Sequence, residues 1–284
     1  MKQNKDGICR MDVDKAWNSL YARLEKEQLL TIEAEHFSYR KRKIPLQWVA
    51  AAAICAGIIF SAFYFSQNRD HSALFLTNTD SSTLVSTLED GSIVYLASQA
   101  SLCYPSAFAV DQRKVELNGN ALFCVAKDEK RPFVVKINGI RIEVVGTIFA
   151  VQSSPDHSFE LSVKQGKVNV QAKDDPIILP VESGETVQLN TGKLSKSRTE
   201  DFRLFRLFTD KMRFKDEKLD HIVQAINTLY GSPILIADES IHNRTLTVTF
   251  ENNSVETMTE LICMALHLEQ INKQDTIFIR SFIK

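Results

Sequence analysis

The sequence predicts a single-span membrane protein in which a short N-terminal segment and one apolar helix precede an all-β domain and a small α+β domain. Three observations support this organisation. Residues 46–66 contain no charged side chain, residues 84–196 alternate short apolar runs with turn residues, and the chain after residue 207 alternates helical and strand periodicity. Length and apolar periodicity are what distinguish membrane spans, strands and amphipathic helices in a sequence.

Composition excludes several classes of function. The 284 residues carry 34 Lys and Arg against 35 Asp and Glu, which gives a formal net charge of −1. This balance argues against wholesale disorder and against the basic surface of a nucleic-acid-binding protein. The five cysteines form no CxxC pair and the six histidines are scattered singly. Because no motif for catalysis, phosphate binding or metal binding occurs, we expect no enzyme, no metal site and no cofactor.

Residues 1–43 contain one amphipathic stretch, which Asp12 can cap as a helix. A lone helix of this size is marginal in water unless its apolar face is covered. Two interpretations stay open. The helix docks its Trp17 edge into a groove of a cytosolic partner, or it lies on the lipid surface, which the basic cluster after it would also suit. The apolar positions recur every three or four residues and are Val13, Trp17, Leu20, Tyr21 and Leu24.

Residues 44–66 are predicted to form the transmembrane helix. The uncharged run 46–66 spans about 30 Å as a helix, which matches the hydrocarbon core of a bilayer. Basic residues precede it and place its N-terminal side in the cytoplasm. A buried core helix and a cleaved signal peptide are the alternatives, and the length of the run and its depth in the chain argue against them. The predicted anchoring residues are Arg40, Lys41, Arg42, Lys43 and Trp48.

Residues 67–83 are predicted to be a polar linker, and residues 84–196 an all-β domain. Strand-like segments follow one another at short intervals, with turn dipeptides such as Asp90-Gly91 and Asn138-Gly139 between them. An Asp-Gly or Asn-Gly pair between apolar runs indicates a tight hairpin. Regular short strands with almost no helical periodicity favour a sandwich, a roll or a short β-solenoid.

Residues 207–284 are predicted to be a small α+β domain of order βαβ-βαββ. The first strand is expected at residues 208–214. A helical stripe from Leu219 to Tyr230 follows, and Gly231 is a common residue just after a helix end. Ser254 can cap a second helix. The last two apolar runs indicate a closing hairpin.

Several stretches of the chain resemble a known family. Four stretches resemble, in this order, the periplasmic domain of FecR-type proteins. They are TLEDGSIVYLASQASLCYPSAF, RKVELNGNALFCVAKDEKRPFVVKINGIRIEVVGTIFAV, LSVKQGKVNV and ESGETVQL. The resemblance covers roughly residues 84–192. Two later stretches resemble the secretin/TonB short N-terminal fold, which many FecR-type regulators carry at their C-terminus. They are MRFKDEKLDHIVQAINTLYGSPILIADE and LTVTFENNSVETMTELICMALHLEQ.

The resemblance implies a function and a topology. FecR-type proteins are single-span anti-sigma regulators of Gram-negative envelopes. The chain is therefore expected in the inner membrane, with its N-terminus in the cytoplasm and its C-terminus in the periplasm. The implied partners are an extracytoplasmic-function sigma factor inside, and outside the signalling domain of a TonB-dependent outer-membrane receptor together with envelope proteases. No direct contact with nucleic acid is implied. The alternative is a membrane-anchored envelope scaffold with no role in transcription.

Two pairs of residues in the β domain are candidates for a covalent reaction. Some FecR-type relatives are split at a Gly-Thr that resembles Gly146-Thr147, so self-cleavage is one interpretation and a bend glycine within a strand pair is the other. Cys103 and Cys124 replace the Thr and Glu expected from the family pattern. In an oxidising compartment they either form a cross-strand disulfide or remain separate buried thiols.

Overall fold

The structure is a computed structural model that describes residues 13–26, 57–58, 60–61, 72–154, 158–173, 175–190, 192–199 and 203–282. The chain divides into two compact units, Met1–Arg69 and Asp70–Lys284. The predicted basic cluster, Trp48 and all but four residues of the predicted run 46–66 lie outside the described residues. Within the described part of the chain, no helix is both long enough and apolar enough to span a membrane.

The first unit contributes helix α1, Val13–Lys26. Asp14 lies in its first turn, and Arg23 and Lys26 lie in its last turn. Negative charge near the start of a helix and positive charge near its end interact favourably with the helix dipole. The predicted cap, Asp12, lies outside the described residues. The sequence prediction of a helix at this position is confirmed.

The second unit begins with strands that form two sheets. Asn138 and Gly139 both have positive φ, at 45° and 79°, as expected for the tight hairpin turn that an Asn-Gly pair favours. The mostly-β character predicted for residues 84–196 is confirmed. The linker predicted for residues 67–83 is wrong in its second part, because the short apolar run Ala73–Thr77 forms a strand that pairs with Ser101–Pro105. The strands are β1 Ala73–Thr77, β2 Thr83–Thr87, β3 Ile93–Leu96, β4 Ser101–Pro105, β5 Arg113–Asn118, β6 Ala121–Cys124, β7 Phe133–Ile137, β8 Ile140–Val144, β9 Ile148–Ser153, β10 Phe159–Gln165, β11 Lys167–Ala172, β12 Leu179–Glu182, β13 Glu185–Asn190 and β14 Lys193–Arg198.

The remaining elements alternate helices and strands. Gly231 ends α3 in the left-handed conformation, and the Ser254 hydroxyl caps α4 by accepting the Thr257 N–H at 3.2 Å, both as predicted. The predicted strand at residues 208–214 is wrong in its first part, because α2 runs to Thr209 and buries Phe208. The elements are α2 Arg203–Thr209, β15 Lys211–Lys218, α3 Leu219–Tyr230, β16 Ile234–Ile236, β17 Thr245–Glu251, α4 Val255–Leu266, β18 Leu268–Lys273 and β19 Thr276–Ser281.

One sheet joins the two predicted domains. A seven-stranded sheet has the order β1-β4-β5-β7-β8-β11-β12, and a nine-stranded sheet has the order β14-β13-β10-β9-β6-β3-β2-β15-β17. The junction is a parallel pairing in which Met212, Arg213 and Phe214 of β15 lie opposite residues of β2. A third sheet, β16-β19-β18, completes the C-terminal part. The nine-stranded sheet thus continues from the β domain into the α+β domain.

Two cores cover the two faces of the nine-stranded sheet. One face packs on the seven-stranded sheet around buried rings, with Phe123 and Phe149 stacked at 5.2 Å between centroids. The other face, including Tyr95 and Leu122, packs against the C-terminal helices and the three-stranded sheet. Every residue of β3 and β6 is buried, which explains why these strands are continuously apolar instead of alternating.

The disulfide considered between Cys103 and Cys124 does not form. Both thiols are free. Cys103 lies on β4 of the seven-stranded sheet, whereas Cys124 lies on β6 and belongs to the core beneath the C-terminal helices. A disulfide requires Cβ atoms that approach each other, and here the two residues belong to different sheets. The second interpretation, separate thiols, is the one the structure supports.

Candidate partner-binding site

The apolar residues of α1 form one stripe on the helix surface. At about 100° per residue, Val13, Trp17, Leu20, Tyr21 and Leu24 fall within an arc of roughly 100°. No residue of α1 is buried, and Trp17 is 56% exposed. The rings of Trp17 and Tyr21 lie 6.5 Å apart and tilted. All five sequence-predicted interface residues therefore share one face, and that face is available to a partner.

The two borders of the apolar stripe carry charges of opposite sign. By the same helical geometry, Asp14 and Glu25 follow the Tyr21 side of the stripe, and Arg23 lies toward its other side. All three side chains are exposed. A partner groove with an apolar floor and a charge of opposite sign on each rim would match this arrangement, because complementary charges fix the register of an interface.

Gly146 and Thr147 connect β8 of one sheet to β9 of the other. A Cβ on residue 146 would lie 2.8 Å from the Cα of Lys127, so only glycine fits there. Thr147 is buried, and its hydroxyl donates a hydrogen bond to the Lys167 carbonyl at 3.0 Å. A peptide carbonyl accepts this bond but is not a base that could remove the proton. The geometry gives this glycine a packing role.

A buried ion pair joins the turn before β3 to the start of β5. The Arg113 guanidinium lies 2.8 Å from the Asp90 carboxylate, and both side chains are almost wholly inaccessible to water. Arg113 also donates to the carbonyls of Ala126 and Arg131, each at 2.9 Å. The Ser92 hydroxyl donates to Asp90 at 2.7 Å. The sequence predicts only a turn role for Asp90, because burial of a charge leaves no signal in a single sequence.

The same hairpin turn contacts the C-terminal part of the unit. The Gln224 side chain of α3 donates to the Gly91 carbonyl at 3.3 Å. Nearby, the Tyr95 hydroxyl donates to the Ala225 carbonyl at 3.2 Å.

Beneath α3 lies a cavity of about 340 Å³, lined in part by Cys124, Thr147 and Gln224. Burial raises the pKa of the Cys124 thiol to about 12, so this thiol stays protonated and unreactive near neutral pH.

Strand edges in the C-terminal part are available for partner contact. Among the strands that the structure describes, β17 pairs only with β15 and forms an end of the nine-stranded sheet. Its seven residues, TLTVTFE, contain no Lys, Arg or Pro. At the opposite end, β14 carries Lys193, Lys196 and Arg198, which are residues that discourage edge pairing. Among the described residues, no group of three or more His, Cys, Asp or Glu side chains could hold a metal ion.

Family models and solved structures show what this chain is similar to. No curated protein sequence matches the chain. Two crystal structures of a candidate anti-sigma factor from Parabacteroides distasonis are similar to it at 21% sequence identity. They cover 74% and 75% of this chain and 100% of their own chains, with TM-scores of 0.46 and 0.47. The family model described as FecR protein matches residues 75–169, and the model described as FecR, C-terminal matches residues 211–279. The two matches together span more than half of the chain, which therefore belongs to the FecR family of anti-sigma factors.

Proposed function

We propose that this chain holds an extracytoplasmic-function sigma factor through α1 and relays a periplasmic signal to it. The observation that carries the proposal is the uncovered apolar stripe around Trp17. An isolated amphipathic helix gains most of its stability from the surface that covers its apolar face, and an anti-sigma factor has such a surface in its sigma factor. A helix of this kind binds by laying its apolar residues into a groove of the partner.

The proposal places the chain in the inner membrane as a single span. The uncharged run 46–66 and the basic cluster before it support this topology, because a run of this length matches the bilayer and basic flanks stay in the cytoplasm. The N-terminus and α1 then face the cytoplasm, and residues 70–284 face the periplasm.

On the periplasmic side, the proposed partner is the signalling domain of a TonB-dependent outer-membrane receptor. Family membership and the free edge of β17 support this assignment. Unpaired N–H and C=O groups of an edge strand can accept a strand from another protein. We therefore place the receptor contact on the C-terminal part of the chain, with β17 as its candidate edge.

Signal transmission is proposed to involve cleavage. A single helix transmits a small change of shape poorly, so proteolysis by envelope proteases is the more economical route to releasing the cytoplasmic segment. Self-cleavage at Gly146-Thr147 would cut the chain within its periplasmic part and leave the cytoplasmic segment joined to the span. The packing of Gly146 and the bonded hydroxyl of Thr147 favour a structural role for this pair. On a denaturing gel we expect wild type and Thr147→Val to run as one full-length band. Two wild-type fragments that Thr147→Val abolishes would establish self-cleavage.

The competing proposal is an envelope scaffold without a role in transcription, and co-purification separates the two. The full chain in detergent is mixed in turn with each extracytoplasmic-function sigma factor of the source organism. The proposal predicts that at least one is retained, and that overexpression of the full chain lowers transcription from the promoters of that factor. Retention of none, with no change in transcription, would favour the scaffold.

A further inference from the structure

We propose that the second unit binds a phosphate monoester in an open cavity of about 580 Å³ at one end of its seven-stranded sheet, the hairpin pocket. The pocket lies beside the turn between β7 and β8, and Lys136, Arg141 and Lys173 are among its lining residues. Its volume falls within the range of small-molecule sites, about 300–1,000 Å³. The inference goes beyond the proposed function, because it gives the second unit a small-molecule ligand of its own.

Strand pairing brings the three cationic side chains together on the outer face of the sheet. Lys136 of β7 lies directly opposite Arg141 of β8, and Gln171 of β11 lies opposite Arg141 on its other side. Alternation along the chain gives Lys173 the same face as Gln171, diagonally about 7–8 Å from Arg141. A Cβ on Gly139 would lie 3.6 Å from the Cβ of Lys173, so this lysine packs beside the hairpin turn.

Two positive charges of the hairpin pocket are not balanced by neighbouring acids. Glu116 lines the pocket, but its carboxylate pairs with Lys114 at 3.3 Å. Asp175, two residues after Lys173, turns its carboxylate to a backbone N–H of its own loop. Neither Lys136 nor Lys173 forms an ion pair with any residue that the structure describes. The two ammonium groups are therefore available to an anion.

Arg141 adds hydrogen-bond donors to the same pocket. It pairs with Glu143 at 2.8 Å, and a guanidinium has further N–H donors in a planar arrangement that matches phosphate oxygens. Lys136, directly opposite, carries the same charge, and like charges opposite each other destabilise a pair of strands. An anion bound between these two side chains relieves that repulsion.

The charge of the pocket favours one class of anion. A phosphate monoester carries about −1.5 to −2 charges at neutral pH, which matches two unpaired ammonium groups. A carboxylate or a phosphodiester carries a single charge and would leave one lysine uncompensated. Leu117, Ile137 and Ile140 also line the pocket, so the ligand has an apolar part next to its phosphate.

Calorimetric titration of the full chain in a non-ionic detergent tests this inference, with phenyl phosphate as the probe. Phenyl sulfate is the matched ligand control, because it has nearly the same shape and a smaller charge. Lys136→Gln and Lys173→Gln each remove one cation from the pocket. Lys167→Gln is the matched protein control, since Lys167 lies on β11 outside the pocket and pairs with Glu182 at 3.7 Å.

We expect saturable binding of phenyl phosphate, about tenfold tighter than that of phenyl sulfate, because hydrogen bonds strengthen with the charge of their partners. Lys136→Gln and Lys173→Gln should each weaken it about tenfold, as for the loss of a hydrogen bond to a charged group, and Lys167→Gln should leave it unchanged. No saturable binding, equal affinity for the two ligands, or an equal loss in Lys167→Gln would overturn the inference. Sigma-factor retention is measured separately and does not depend on this pocket, so the two failures are distinguishable.

Discussion

At the scale of single residues, the Arg113–Asp90 pair is the most consequential feature of the β domain. It joins the turn before β3 to the start of β5 and satisfies carbonyls of the chain between β6 and β7. Arg113 also lies over the Phe133 ring, 5.4 Å from its centroid. A buried pair is not by itself strongly stabilising, but the loss of one partner leaves the other charge buried and uncompensated.

We therefore expect Asp90→Asn to lower the free energy of unfolding of residues 70–284 by about 3–5 kcal/mol, the usual cost of breaking a buried pair. Denaturant unfolding measures this change. Lys114→Gln is the matched control, because Lys114 and Glu116 form a partly exposed pair at 3.3 Å whose contribution should be below about 1 kcal/mol. Similar effects of the two substitutions would mean that Asp90 does not hold a buried charge.

The Cys124 thiol makes the free energy of unfolding depend on pH in the alkaline range. Burial raises its pKa from 9.0 to about 12 in the folded state, so the unfolded thiol ionises first as the pH rises. The unfolded state then binds fewer protons, and stability falls between about pH 9 and 12. Burial also raises the pKa of Tyr95, so this residue likewise lowers stability as the pH rises in the alkaline range.

A Cys124→Ala variant isolates the contribution of this thiol. Its free energy of unfolding should fall less steeply than that of the wild type when the pH is raised from 8 toward 11, as followed by denaturant unfolding at each pH. Cys103→Ala, at a half-buried position outside that core, serves as the control. Identical slopes for wild type and Cys124→Ala would show that the thiol is accessible to water when folded.

At the scale of elements, much of the architecture could be predicted from local pattern. Asp90-Gly91 and Asn138-Gly139 mark hairpin turns, and Ser254 and Gly231 mark helix ends. Helix α2 was missed because the short apolar run around Phe208 has neither the length nor the periodicity that separates helix from strand. The pairing of β2 with β15 links residues more than 120 positions apart, and no local signal records such a partner.

The β domain depends on the C-terminal part to cover one face of its sheet. Without the C-terminal part, the outer face of the nine-stranded sheet, including Ile93, Tyr95 and Leu122, would be exposed to water. We expect residues 70–199 to bind a hydrophobic dye and to self-associate, whereas residues 70–284 do neither, as judged by dye fluorescence and sedimentation. A truncated form that is monomeric and equally stable would show that the two parts fold independently.

At the scale of the whole molecule, the periodicity of the sequence defines the α1 stripe more completely than it defines the fold. The α1 stripe depends only on the period of one helix, so five spaced apolar residues were enough to define it. The structure adds that none of them is buried. The state of Cys103 and Cys124 could not be predicted, because it depends on which sheet each strand joins.

The central claim is that the exposed face of α1 holds the sigma factor, and an affinity measurement on the full chain tests it most directly. Trp17→Ala should weaken binding of the retained sigma factor by about 2 kcal/mol, or roughly 30-fold, as expected for a tryptophan at the centre of an interface. Ser19→Ala, two residues along and about 160° around the helix from Trp17, should leave the dissociation constant unchanged. Unchanged affinity in Trp17→Ala, or an equal loss in both variants, would contradict the account.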